Sequence, residues 1–324
     1  MLFSVRSSVS VVAVAAAVLA GATAHAQGNP TFTYAKPEES AAPPAPAVEW
    51  KAMAKGGLIA TTGNSQSGTA SFGMNASRKQ GNNKLSLEGN IAYGRSTVWS
   101  PVIDKSMMPN VVVGLDGKPN TTTNNWNSRG RYDRFFTPNN AGFVSALAAG
   151  DKVAGKSFFG GGQIGYSRQL LKSATYLLTA EVGYDFSYER YVDQPNRTLD
   201  PVSIHSARLF LGDVWKISTA TGVTASVEAL FNLNKEGGAL NVDTHDKGVD
   251  AFHDTRFVGK LGLTTTLVKS LSFGFGFTIR YDQNPAPRPL PSTTDAGIGY
   301  KPGFFTFADK VDTLTEASLV YTFL

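Results

Sequence analysis

The stretch LSFGFGFTIRY at residues 271–281 alternates large apolar or aromatic side chains with small or polar ones along its whole length. Because successive side chains of a β-strand point to opposite faces, this stretch predicts a strand with one apolar and one polar face. Segments with the same alternation recur along the chain, each roughly the ten residues that a tilted strand needs to cross a bilayer. The alternation therefore predicts strands that face lipid on one side.

The N-terminus has the three parts of a secretory signal peptide. Arg6 supplies the positive charge, Val11 to Ala20 is a short apolar core, and Ala24-His25-Ala26 is a small-x-small cleavage site. We predict that residues 1–26 are a cleaved signal peptide. Residues 27–49 are rich in Pro and Ala and predict a semi-extended periplasmic tail.

The composition excludes several classes of function. The chain contains no cysteine, which rules out a lipid-modified cysteine, disulfides and thiol chemistry. A formal net charge of +5 is too small an excess to predict a nucleic-acid partner. No phosphate-binding glycine loop precedes a helical pattern, so we expect no cofactor.

Twelve segments carry the strand pattern, and the connections between them alternate between short and mostly longer. An even number of strands, joined by short periplasmic turns and longer outer loops, is typical of outer-membrane barrels. We therefore predict an all-β protein whose residues 50–324 form a transmembrane antiparallel up-and-down β-barrel of about twelve strands in the outer membrane. The segment at 142–150 is apolar on both faces, which leaves ten or fourteen strands open. The predicted strands lie near residues 51–61, 68–79, 84–95, 122–136, 142–150, 158–170, 175–190, 202–216, 222–234, 252–268, 270–282 and 311–323.

The same register places charged side chains inside the barrel, because a charge on the lipid side costs several kcal/mol near the bilayer midplane. Two interpretations remain open: ion pairs that fill a narrow lumen, or a wet constriction with acids on one wall and bases on the other. The charges that form this candidate site are Arg129, Arg131, Glu181, Asp185, Glu228, Arg256, Lys260 and Arg280.

Four short motifs, taken in their order along the chain, resemble the salt-induced outer-membrane protein family, the YdiY-like barrels of unknown function. They are Thr62-Gly63-Asn64-Ser65, the run from Arg131 to Phe136, the glycine-rich run from Gly160 to Tyr166, and Arg280-Tyr281-Asp282 followed by Pro285. The resemblance covers about residues 50–324 and implies a small outer-membrane barrel. The connections predicted as outer loops are long for that family, and Leu324 follows the expected terminal aromatic, Phe323.

Ser203 and His205 lie two residues apart on one predicted strand, so both face the lipid near the outer rim. Outer-membrane lipid hydrolases use a lipid-facing Ser and His, which makes a lipid-modifying enzyme an alternative function. Their order is His-x-Ser rather than the Ser-x-His of this chain, and the sequence offers no third catalytic group.

The segment from Asp243 to Asp254 imitates a calcium loop, but His245 and Lys247 occupy positions that need oxygen ligands. We expect a solvated loop there, with no metal.

The last strand carries Tyr321 and Phe323 on its outward face, which resembles the C-terminal signal read by the barrel-assembly machinery. We accordingly expect that machinery, outer-membrane lipid and lipopolysaccharide as partners; the sequence does not predict an oligomeric state. The leading function is a narrow porin-like channel or an envelope-integrity protein, and not an enzyme. A surface receptor or adhesin that uses the long loops is a further alternative.

Overall fold

The computed structural model describes residues 48–61, 67–104, 106, 111–193, 198–288, 290 and 304–323. The predicted signal peptide, nearly all of the predicted tail and the Gly63-Asn64-Ser65 motif lie outside these residues. None of the described residues forms a helix long and apolar enough to cross a membrane.

Twelve of the fourteen described strands form one closed barrel, which confirms the predicted fold class and strand number. Each barrel strand pairs antiparallel with its neighbours in sequence, except that β9 pairs with β12 across an inserted hairpin, and β1 pairs with β14 to close the ring. The strands are β1 (Val48–Thr61), β2 (Ser67–Gln80), β3 (Asn83–Asp104), β4 (Val111–Thr137), β5 (Asn140–Asp151), β6 (Lys156–Lys172), β7 (Tyr176–Tyr191), β8 (Val202–Lys216), β9 (Thr221–Asn232), β10 (Glu236–Leu240), β11 (Lys247–Val249), β12 (Arg256–Val268), β13 (Leu271–Asp282) and β14 (Val311–Thr322).

Side-chain alternation decides which face of each strand is outside. On β13, Phe275 is 43% exposed and pairs with Leu263 on β12 and Ala317 on β14, so apolar side chains adjoin one another around the outer wall. Val182 on β7 is 53% exposed on the same outer surface. An apolar outer wall is what contact with lipid requires.

The glycine-rich run of β6 allows β6 and β7 to approach closely. A Cβ atom on Gly161 would lie 2.1 Å from the carbonyl oxygen of Phe186 on β7. No side chain fits at that distance, so this position requires glycine.

The connection predicted at residues 96–121 is not a loop. In the structure β3 continues to Asp104 and β4 begins at Val111, and the pair forms a long hairpin in which Thr97 pairs with Pro119 and Pro101 with Leu115. The hairpin contains two prolines within its paired segments. A two-stranded extension beyond the barrel has only edge strands, and edge strands tolerate proline.

Residues 235–251, also predicted as an outer loop, contain the hairpin of β10 and β11. Its Ala239 and Val249 are buried against Val202 and Ile204, which face inward at the end of β8. Asn284 holds the same hairpin: its side-chain amide donates to the carbonyl of Leu240, and its side-chain oxygen accepts from the amide of Val242. The hairpin therefore folds over one side of the barrel mouth. The strand predicted from residue 252 begins at Arg256.

Candidate functional site: the barrel lumen

The structure places all eight predicted lumen charges on the inner side of the wall. Short turns join the strands at one end of the barrel and longer connections at the other, which we call the turn end and the loop end. Arg131 and Glu181 lie nearer the turn end, and Arg256 lies at the loop end.

Five buried residues form an ion-pair group, the central cluster: Arg131, Asp133, Glu181, Arg208 and Glu228. Arg131 contacts Glu181 at 2.8 Å and Asp133 at 2.7 Å. Arg208 contacts Glu181 at 2.8 Å and also pairs with Glu228 through its Nε. The cluster links β4, β7, β8 and β9 through side chains that are almost completely buried.

Arg208 was missing from the sequence-based set of site residues. It lies on β8 between the two strands that carry Glu181 and Glu228, so the acidic wall expected from the sequence contains a central arginine. The alternation of β8 was a sufficient signal, because Ser203, His205 and Leu209 face outward and Arg208 therefore faces inward. In the central cluster, acids and bases are therefore in direct contact and are not separated by a water-filled gap.

Phe143 packs inside the central cluster. Its ring lies 3.9 Å from the Arg131 guanidinium and 5.5 Å from that of Arg208, and the side chain is buried. Cations over an aromatic face are attracted by the ring quadrupole. Side chains therefore fill this part of the lumen.

Arg129 and Asp185 are joined through a third residue. The Gln163 oxygen accepts from Arg129, and its amide nitrogen donates to Asp185 at 2.8 Å. Gln163 on β6 was not among the predicted residues. It extends the filled region of the lumen from β4 to β7.

A second group, the mouth cluster, lies at the loop end and consists of Lys156, Glu189, Glu236, Asp254 and Arg256. Arg256 contacts Asp254 at 2.5 Å and Glu189 at 2.6 Å, and Lys156 contacts Glu189 at 2.9 Å. Burial raises the pKa of Glu236, in the outer hairpin, from 4.5 to about 7, although Arg256 opposes the shift. Burial also raises the pKa of Asp254 well above its usual range, again against the influence of Arg256.

An internal cavity of about 630 Å³ occupies the part of the lumen that the two clusters leave open. Asp151, Lys156 and Asp282 line it at the loop end, and Thr179, Val214 and Ser318 line it towards the turn end. The cavity therefore extends along most of the barrel axis. Small polar side chains form much of its wall, among them Ser71, Asn75, Asn90, Asn127, Ser226 and Thr278.

Three of the predicted charges line this cavity: Arg256, which is paired within the mouth cluster, and two further cations, Lys260 and Arg280. These two differ from Arg256. Neither makes an ion pair within 4.0 Å with any described residue, unlike Lys55 on the same wall, which contacts Glu316 at 2.8 Å. The lumen thus contains a filled side with paired charges and an open side with two cations that have no direct counter-ion among the described residues.

Ser203 and His205 lie on the outer face of β8, as the alternation predicts. The His205 Nδ1 shares a hydrogen bond with the Tyr184 hydroxyl, and the Phe186 ring lies 5.2 Å from the imidazole. Within the described part of the chain, no hydrogen bond joins the Ser203 hydroxyl to His205. The His205 imidazole is therefore hydrogen-bonded to Tyr184 and not to Ser203.

Three of the four carboxylates of the calcium-like segment are directed at separate cations. Asp243 contacts Lys310 at 3.2 Å, Asp250 contacts Lys235 at 3.0 Å, and Asp254 belongs to the mouth cluster. His245 packs against Phe305 and Phe307. Among the described residues, no three His, Asp or Glu side chains are grouped as metal ligands.

Tyr321 and Phe323 lie on the outer face at the turn end. Their ring centroids are 4.9 Å apart, and the Phe323 amide donates to the carbonyl of Ala52 on β1 at 3.0 Å. The aromatic pair therefore stands beside the hydrogen bonds that close the ring. Leu324 lies outside the described residues.

The family model described as "Protein of unknown function, DUF481" matches residues 54–323. No curated protein is significantly similar to the chain.

Among solved structures, the NanC porin is similar over 84% of this chain and 97% of its own, with 9% identity and a TM-score of 0.39. The outer membrane channel DcaP of Acinetobacter baumannii is similar over 85% and 97%, with 11% identity and a TM-score of 0.32. The translocator domain of the autotransporter NalP from Neisseria meningitidis is similar over 85% and 88%, with 12% identity and a TM-score of 0.38. At these TM-scores, the similarities support no statement about what this chain binds or transports.

Proposed function

Since the chain belongs to the DUF481 family, whose function is unknown, we propose a function from the lumen itself: a narrow outer-membrane channel for small polar solutes. The observation that carries the proposal is the cavity, which is lined near both ends of the barrel and has many small polar side chains on its wall. The central cluster occupies the other side of the lumen, which favours small solutes.

The proposed location is the outer membrane, with the turn end in the periplasm and the loop end outside. Exposed side chains such as Val182 and Phe275 would contact lipid or lipopolysaccharide. The barrel-assembly machinery would insert the chain after export. A closed ring suits this environment because it leaves few backbone groups without partners.

A barrel that contributes to envelope integrity without conducting is the second candidate. The central cluster favours it, because side chains occupy the lumen between β4 and β9. The two candidates differ in one measurable property, the passage of ions through the open side.

Single-channel recording from refolded protein in planar bilayers distinguishes the two candidates. The wild-type barrel should conduct, and Asn75→Trp, which places an indole in the cavity, should reduce the unit conductance. Ala76→Trp is the matched control, since the neighbouring side chain faces lipid. A wild-type protein that is folded, as judged by heat-modifiable mobility, and that never conducts would reject the channel in favour of the structural barrel.

The geometry does not favour the lipid-modifying enzyme. Catalysis by Ser203 would require a hydrogen bond from its hydroxyl to the His205 imidazole, and none joins the two among the described residues. We therefore propose a non-enzymatic role. The receptor or adhesin alternative rests on the long outer connections alone.

A further inference from the structure

Arg280 is a buried cation that forms no ion pair with the part of the chain that the structure describes. Its side chain is only 8% exposed, and its Nε and Nη1 atoms are buried with no hydrogen-bond partner among the described residues. On β13 it lies opposite Val258 of β12 and Asp312 of β14, but no carboxylate of a described residue approaches within 4.0 Å. A charge held away from water without a partner is costly, so this position favours an anion from outside the protein.

Lys260 is the second cation of the same wall. It lies opposite Thr278, and Thr278 is two residues before Arg280 on the same face of β13. Diagonal neighbours on one face of a sheet are about 7–8 Å apart, within reach of long side chains. The Lys260 ammonium and the Arg280 guanidinium can therefore contact one small anion together, with the Thr278 hydroxyl as a further donor.

The acids near this pair do not neutralise it by contact. Glu316 pairs with Lys55, and one oxygen of Asp151 accepts from the backbone amides of Val153 and Ala154 at 3.1 Å. Asp312 and Glu88 face the same region without an ion pair to a described residue. These two acids should weaken the attraction of an anion without occupying its place.

We infer that Arg280 and Lys260 form a binding site for small oxyanions, the carboxylate or phosphate groups of solutes in the lumen. This inference rests on the proposed function to the extent that solutes must reach the cavity. A guanidinium and an ammonium both donate charge-assisted hydrogen bonds to the oxygens of an oxyanion. An oxyanion offers several acceptor oxygens to the two cations, so oxyanions should bind more tightly than chloride.

Inorganic phosphate is the probe, titrated against refolded protein in zwitterionic micelles and followed by 31P line broadening and calorimetry. Arg280→Gln should weaken phosphate binding on the order of tenfold or more, the usual effect of losing a charge-assisted hydrogen bond. Lys260→Gln should weaken it less. Asp312→Asn should tighten binding, because it removes a nearby negative charge and retains Arg280. Lys118→Gln, on the exposed hairpin of β3 and β4, should have no effect.

Equal phosphate affinity in the wild type and Arg280→Gln would overturn the site. So would an Asp312→Asn protein that binds no better than wild type, a test that stands even where Arg280→Gln fails to fold. Phosphate binding in micelles without conductance in bilayers would reject the channel and leave the site. Conductance without phosphate binding would reject the site and leave the channel.

Discussion

Arg131 and Glu181 meet inside the barrel through two hydrogen bonds, from Nη1 to Oε2 at 3.2 Å and from Nη2 to Oε1 at 2.8 Å. Their strands, β4 and β7, are separated in the ring by β5 and β6. The contact therefore spans an arc of the lumen rather than two adjacent strands. A twelve-stranded barrel is intermediate between filled eight-stranded and open sixteen-stranded barrels, and in this one the filled and open parts lie side by side.

The central cluster predicts a large loss of stability when Arg208 is removed. Arg208→Met should lower the free energy of unfolding by ~3–5 kcal/mol, because Glu228 loses its partner while it stays buried. Denaturant unfolding in lipid vesicles measures this. The control is Lys118→Met, whose pair with Asp116 is exposed and should contribute less than ~1 kcal/mol. Adding Glu228→Gln to Arg208→Met should recover part of the loss; no recovery would contradict the pairing.

Alternation along the strands was sufficient to predict the barrel. The strand predicted at 202–216 has those same bounds in the structure, because its outward Leu209, Leu211 and Trp215 alternate with inward residues. The ambiguous segment at 142–150 needed the structure, which buries Phe143 and exposes Val144. Contacts such as Arg131–Glu181 depend on the stagger of strands that are not neighbours. No local pattern encodes that stagger, so the sequence predicted which charges face inward but not which of them meet.

An added charge should lower the stability of the barrel on the outer face of the wall and be tolerated on the inner face. Val182→Arg should destabilise the barrel by ~2–4 kcal/mol, since it places a charge in lipid near the midplane. The control is Asn75→Arg. Asn75 lines the cavity opposite Glu88 on β3, so an arginine there should leave folding nearly unchanged. Both are measured by unfolding in vesicles. Equal losses would show that one of the two faces is misassigned. Glu181→Gln is unsuitable as a control, because Arg131 and Arg208 both contact Glu181.

The C-terminal aromatic pair predicts an effect on assembly. Phe323→Ser should sharply reduce the amount of folded barrel in cells, because it removes the ring that packs on Tyr321 beside the closing strand. Deletion of Leu324 should have little effect. Heat-modifiable mobility of membrane fractions measures both. A stronger effect from the Leu324 deletion would place the assembly signal one residue later than Phe323.

The pairing of β1 with β14, which we call the closing seam, is short and predicts weak local protection against hydrogen exchange. β1 and β14 pair only from Met53 to Gly56 and from Leu319 to Thr322, whereas β13 pairs with β14 along nearly its whole length. Amides of β1 beyond Gly56 that point towards β14 should therefore exchange with deuterium faster than those between β12 and β13. Peptide-level exchange of the reconstituted barrel tests this. Equal protection of the two strand pairs would mean that the seam is continuous in lipid.

The mouth cluster predicts a pH-dependent outer hairpin. Burial raises the pKa of Glu236 from 4.5 to about 7, so the folded state holds its proton more tightly than the unfolded state. The resulting stability is complete below about pH 4.5 and is lost as the pH rises through 7. Proteolysis within the hairpin of β10 and β11 should therefore be slower at pH 5.5 than at pH 8, once corrected for protease activity on an unfolded substrate.

Glu236→Gln should remove much of this difference, leaving the part due to Asp254, whose pKa is shifted in the same direction. Asp250→Asn changes an exposed acid of the same connection and should leave the pH profile as in the wild type. A profile that Glu236→Gln and Asp250→Asn alter equally would assign the effect to the net charge of the loops rather than to the buried carboxyl.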